Sequence, residues 1–151
     1  MRKILLILAF SFSFILAEKV EVSANSFEAD EIKRVSLFKG KVYIKKGKDE
    51  IKSDSLKIDF DKQNRPIKYK AVGNVSFKIT TSSQRFVGTS GEIIYWPLKK
   101  KYIASKNVNI KETTKNRILK GEKIIIDRVS GKSKISGTKN KPVKFIFTVD
   151  E

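Results

Sequence analysis

The chain has 151 residues, 33 Lys and Arg against 16 Asp and Glu, and neither His nor Cys. Those two absences exclude Cys nucleophiles, disulfides, Ser-His-Asp triads and nearly all zinc sites together. The formal charge of +17 at pH 7 favours polyanionic partners, whether nucleic acid, anionic membrane or phosphorylated glycolipid, although Lys-heavy usage also follows from a host genome's base composition.

The first element is a leader. Met1-Arg2-Lys3 is a short positive region, and Ile4 to Leu16, "ILLILAFSFSFIL", is apolar apart from two serines. Thirteen residues span about 20 Å as a helix, against about 30 Å of hydrocarbon, so the pattern predicts a cleaved secretory signal over residues 1–17. Ala17 and Ile15 occupy the −1 and −3 positions, and no Cys follows to carry a lipid anchor. The expected mature chain, 18–151, is a single domain with 31 bases against 16 acids, a net +15. Export disfavours nucleic acid among the three partners.

Beyond the leader the apolar signal alternates with period two. "VSANSFEAD" (Val22 to Asp30) opens the chain, and "FKGKVYI" (Phe38 to Ile44) follows with Phe38, Val42 and Ile44 on one parity. Next come "IKSDSLKIDF" (Ile51 to Phe60) and "AVGNVSF" (Ala71 to Phe77). "SGEIIYW" (Ser90 to Trp96), "ASKNVNI" (Ala104 to Ile110) and "GEKIIID" (Gly121 to Asp127) complete the series. Turns are predicted at Lys45–Glu50, Asp61–Pro66, Trp96–Lys100 and Asp127–Lys134, where Gly, Pro, Asn and Asp gather. A last strand pair is expected around Val143 to Val149.

The phrase at Ala71 returns 33 residues later at Ala104, and a looser copy lies 33 residues earlier at Phe38. Two strands cannot bury their own apolar face, so repeated units must stack into two sheets or one folded sheet around a shared lining. "VSANSFEAD" reads as half a unit, so the chain starts mid-repeat. Gly40 and Gly73 mark a bend or close approach. Lys106 stands where the third copy would have Gly, which predicts a relaxed bend there.

In the order and spacing of "VSANSFEAD", "LFKGKVYIKKG", "IKSDSLKIDF", "AVGNVSF" and "GEKIIIDRVSGKSKISG", the chain resembles the LptA/OstA-like family of periplasmic lipopolysaccharide-transport proteins. The resemblance implies an all-β fold, in which repeated antiparallel strand pairs stack into a V-shaped jelly roll with an apolar interior. It implies a non-enzymatic, periplasmic carrier without cofactor or metal that shields lipopolysaccharide acyl chains between inner and outer membranes. The implied lining is Phe38, Val42, Ile44, Leu56, Ile58, Val75, Phe77, Ile93, Tyr95, Val108, Ile110, Ile124, Ile126 and Phe145. Implied partners are lipopolysaccharide, inner- and outer-membrane transport subunits met through terminal strands, and further copies joined end to end.

Alternation alone fits an ordinary closed core equally well. A membrane-anchored relative that keeps its N-terminal helix, and a closed structural module binding anionic surfaces, therefore remain open alternatives. A polysaccharide-active enzyme ranks behind both. Asp59 with Asp61 reads as a solvated strand end rather than a carboxylate pair. Gly131-Lys132-Ser133 lacks the upstream glycine of a phosphate loop, because Ile126 stands there.

Overall fold

A computed structural model describes residues 18–150; the leader expected over 1–17 lies outside the described residues. Ten antiparallel strands form one open sheet, and no helix occurs among the described residues. The strands are β1 (Val20–Ser23), β2 (Ser26–Asp30), β3 (Val35–Lys46), β4 (Asp49–Phe60) and β5 (Pro66–Thr80), then β6 (Arg85–Trp96), β7 (Lys101–Glu112), β8 (Arg117–Asp127), β9 (Ser133–Ser136) and β10 (Lys144–Ile146). Consecutive long strands pair from β3 through β8. The opening half-unit is one strand broken at Ala24-Asn25: β1 lies along the second half of β3 and β2 along its first half. β9 and β10 divide β8 in the same way.

The 33-residue period is the period of a bulge. Pairing shifts register between Lys39 and Val42, between Val72 and Val75, and between Ser105 and Val108. In each odd strand two residues face one on the even neighbour. All three pairs, Gly40-Lys41, Gly73-Asn74 and Lys106-Asn107, are in the left-handed region, with φ between +44° and +86°. Aligned across the sheet, these bulges bend every long strand along one line. The sheet folds there into two arms. One holds the halves of β3 to β8 that adjoin β2 and β9, and the other holds the halves that adjoin β1 and β10.

The bend at Lys106 is not relaxed, contrary to the expectation from its missing glycine. A Cβ on Gly40 would sit 2.6 Å from Asn25 Nδ2, and one on Gly73 would sit 2.5 Å from Asp54 Oδ2. At the third bulge the small residue lies on the partner strand, since a Cβ on Gly91 would come 2.8 Å from the Lys106 Cβ. Gly91 makes the room for Lys106 that the glycines at 40 and 73 make for Asn25 and Asp54.

The four predicted turns form, and Asp30 caps a further one at 31–34; others include a pair at Thr81–Gln84 and after Glu112. The first of that pair is held by the Thr81 hydroxyl, which accepts from Gln84 N–H at 3.0 Å. The second is held by the Glu112 carboxylate, fully buried, which accepts from Thr114 and Lys115 N–H at 3.0 and 3.1 Å and pairs with Arg117. The expected final strand pair is instead the single short β10. Phe147 and Val149 beyond it are exposed, and the Phe147 ring lies 5.1 Å from that of Phe145 on β10.

Candidate functional site

Residues directly opposed in a ladder point to one face of the sheet. One such row runs Val22, Ile44, Ile51, Phe77, Gly88, Ile110, Leu119 and Phe145. Another runs Phe27, Phe38, Leu56, Ala71, Ile93, Ala104, Ile124 and Ile135 on the other arm. A third, nearer that arm's tip, is Ile58, Tyr69, Tyr95, Tyr102 and Ile126. Beside the bend, Val42 faces Ser53, and Val75 faces Ser90. The two serines are buried, and each hydroxyl donates to the carbonyl two residues on, Ser55 and Glu92, at 2.9 Å.

All fourteen residues singled out from the sequence therefore lie on the concave side of the folded sheet. Twelve are buried there, and Phe38 is half-buried against the core. Phe145 is the exception in burial. Its register puts it on the inner face, but β10 is a three-residue edge strand and leaves it 45% exposed.

The arms are closed on each other. Val20, Ile44 and Ile51 of one arm and Tyr69, Tyr95 and Tyr102 of the other line a shared cavity of only about 20 Å³, room for about one water. Polar groups tie the arms at the same place. Lys46 Nζ donates to Tyr95 Oη at 3.0 Å, and Tyr102 Oη donates to Asp49 Oδ2 at 2.7 Å. Asp49, itself buried, also accepts from Thr80 N–H at 2.9 Å and lies 3.6 Å from Arg128 Nε. Glu18 holds Lys46 at 2.9 Å. Tyr95 and Tyr102 stack with centroids 4.4 Å apart, which aims both hydroxyls at the opposing arm.

Burial, reinforced by the Asp49 carboxylate, pushes the Tyr102 hydroxyl far above the usual phenol range, so it stays a donor. Burial pulls the Lys46 ammonium down, but its bonds to Tyr95 and Glu18 outweigh that and leave it raised. The Glu18 carboxyl is lowered, chiefly by its hydrogen bond with Lys46. These groups form a latch across the arm tips; none is arranged as an acid–base pair with an open substrate position.

The latch was missed in the sequence because "KKGKDE" reads as a solvated turn, and Asp49 meets Tyr102 across 53 residues. Asp61, weighed as half of a carboxylate pair, caps its own turn by accepting from Gln63 and Arg65 N–H. No cluster of metal-ligating side chains occurs among the described residues.

Over residues 21–132 the chain matches the family model described as LptA/(LptD N-terminal domain) LPS transport protein. No curated protein matches it in sequence. Among solved structures it superimposes on LptH, the LptA homologous periplasmic component of the lipopolysaccharide transport device from Pseudomonas aeruginosa. The TM-score is 0.77 at 14% identity, covering 87% of this chain and 96% of that one.

Proposed function

Because the chain belongs to the LptA and LptD N-terminal domain family of lipopolysaccharide-transport proteins, we propose that it is a periplasmic, non-enzymatic carrier. In this reading it shelters lipopolysaccharide acyl chains between its arms during transport to the outer membrane. Residues 1–17 act as a cleaved signal, and 18–151 form the single mature domain.

The observation that carries the reading is the inner face itself. Rows of apolar side chains run across the sheet from the β1/β2 edge to the β9/β10 edge, with the same surface offered at each step. Burying hydrocarbon stabilises by about 0.8 kcal/mol per CH₂, so an acyl chain crossing water needs such a lining. A lining that repeats every 33 residues makes movement from unit to unit nearly isoenergetic. No nucleotide-binding element is seen in the sequence, so direction comes from partners.

The two terminal edges support end-to-end assembly and docking to membrane-bound transport subunits. Among the described residues β1 and β2 pair only with β3, and β9 and β10 only with β8, so each end offers unsatisfied backbone groups to another strand. Sedimentation at rising concentration is expected to show growing oligomers; a single monomeric species throughout would remove this assembly.

The filled interior also suits a second reading, a closed structural module with a basic surface. Binding of the 18–151 chain to intact and to deacylated lipopolysaccharide, at low and high salt, separates the two. The carrier prefers the acylated form and keeps that preference in salt. Equal binding to both, lost in salt, would establish the closed module instead.

A further inference from the structure

Above the latch, between the arm tips, the loops enclose a basin of about 980 Å³. It is walled by the β3–β4 turn (Gly47, Lys48) and the Thr81–Gln84 turn on one arm, and by the 97–100 and 128–132 loops on the other. Four cations reach it: Lys46, Lys48, Lys100 and Arg128. Two carboxylates adjoin them, Glu18 and Asp49, and both already have partners. Lys48 and Lys100 are exposed and have no carboxylate within ion-pair distance among the described residues.

Arg128 is held in place by its backbone, whose N–H donates to Lys100 O at 3.0 Å. Its Nε–H is buried and has no hydrogen-bond acceptor among the described residues. A buried donor without an acceptor is uncommon, and here it sits in a cationic basin.

The basin is also continuous with the apolar interior. Lys46 and Tyr95 line both the basin and the small cavity between the arms. A molecule with hydrocarbon in that interior would therefore place its polar end among these four cations.

We propose that the basin between the arm tips is a binding site for phosphate esters, with Lys46, Lys48, Lys100 and Arg128 donating to the phosphate oxygens. Lys supplies mobile point charges and Arg a fixed fork, the combination that suits a tetrahedral dianion. An anion that accepts from Lys46 and Arg128 replaces Tyr95 and Asp49 as their partners, so occupancy loosens the contacts tying the arms together. This rests on the acyl-chain reading only for the source of the phosphate, the head group of the same amphiphile.

The test uses the 18–151 chain and four probes: an acylated glucosamine disaccharide bearing phosphates, the same lipid without phosphates, the phosphorylated disaccharide without acyl chains, and inorganic pyrophosphate. The variant Lys48→Ala/Lys100→Ala removes two cations that hold no ion pair. The variant Lys33→Ala/Lys62→Ala removes the same charge from exposed turns elsewhere. The expected result is a loss of at least about tenfold in affinity for the phosphorylated lipid with the first pair only, the factor carried by one charge-assisted hydrogen bond. Affinity for the dephosphorylated lipid should stay unchanged.

Pyrophosphate binding that is weakened by the first pair alone supports the site and identifies free phosphate as a sufficient ligand. Equal losses from both pairs would overturn the proposal in favour of diffuse charge. So would wild-type binding that ignores the phosphates, and that result would leave the acyl-chain reading standing. Binding of a deacylated phosphorylated disaccharide as tight as that of the acylated lipid supports the basin and removes the acyl-chain reading instead.

Discussion

At the residue scale, the decisive contacts are few and lie far apart in sequence. Asp49 is a buried carboxylate that accepts from Tyr102 and from the Thr80 N–H, with Arg128 Nε 3.6 Å away as a charge partner. Tyr102→Phe removes the shortest of these bonds while keeping the ring stack on Tyr95. It should cost about 1–3 kcal/mol in chemical denaturation, the usual penalty for a buried charged acceptor that loses a donor. Because burial and Asp49 raise the Tyr102 pKa above its unfolded value, its contribution is complete below the unfolded value near 10 and is lost as pH rises further. The wild type should therefore weaken more steeply than Tyr102→Phe above about pH 10. Identical alkaline slopes and unchanged stability would show that the bond ties nothing together.

At the element scale, the bulge is the unit of construction, and it also explains what the sequence could and could not reveal. In β3, β5 and β7 two bulge residues keep the parity of the inner face, so Val42 with Ile44, and Val75 with Phe77, were legible as continuing stripes. In β4, β6 and β8 the single opposed residue, Asp54, Gly91 or Glu122, flips it. Ile51 and Leu56 both face inward at odd separation, as do Phe86 and Ile93, and a search for strict alternation loses half of each strand. The compensation between Gly91 and Lys106 was written in "TSGE" and "SKNV" but needed the pairing register to be read.

That compensation predicts strong non-additivity. Gly91→Asp alone pushes a side chain into the Lys106 Cβ and should cost about 1–3 kcal/mol, the ordinary range for overpacking. Lys106→Gly alone should be nearly neutral. It relieves about 1 kcal/mol of left-handed strain and gives up an exposed lysine's contact with Glu92 of comparable worth. The double variant recreates the arrangement at Gly73 and Asp54, and should recover most of the loss when followed by thermal unfolding. Simple addition of the two single effects would mean that the bulges are not equivalent.

At the scale of the whole molecule, one folded sheet does two things that separate sheets could not. Its hydrogen bonds run unbroken from β1 to β10, so the arms can part at their tips without losing a backbone pair. The apolar side chains that fill the interior face one another rather than a fixed partner, and hydrocarbon inserted between them replaces one apolar contact with another. The same geometry concentrates opening on the latch and the touching turns. Near Lys46, Asp49 and Arg128, the Thr81–Gln84 turn meets the 128–132 loop, where a Cβ on Gly131 would lie 3.2 Å from Ser83 Oγ.

The central claim, that acyl chains enter between arms which must separate, can be tested by fastening them. The chain has no cysteine, so Ser83→Cys/Gly131→Cys introduces the sole pair; a Cβ at 131 lies 3.2 Å from the Ser83 Oγ that sulfur replaces, and the φ of +71° there adds about 1 kcal/mol of strain. Binding of acylated lipopolysaccharide would be measured for this variant oxidised and then reduced. The account predicts that the oxidised protein, folded and with its arm tips joined, fails to bind, and that reduction restores binding. Equal binding in both states would contradict it, because the lipid would then be held without the arms ever opening.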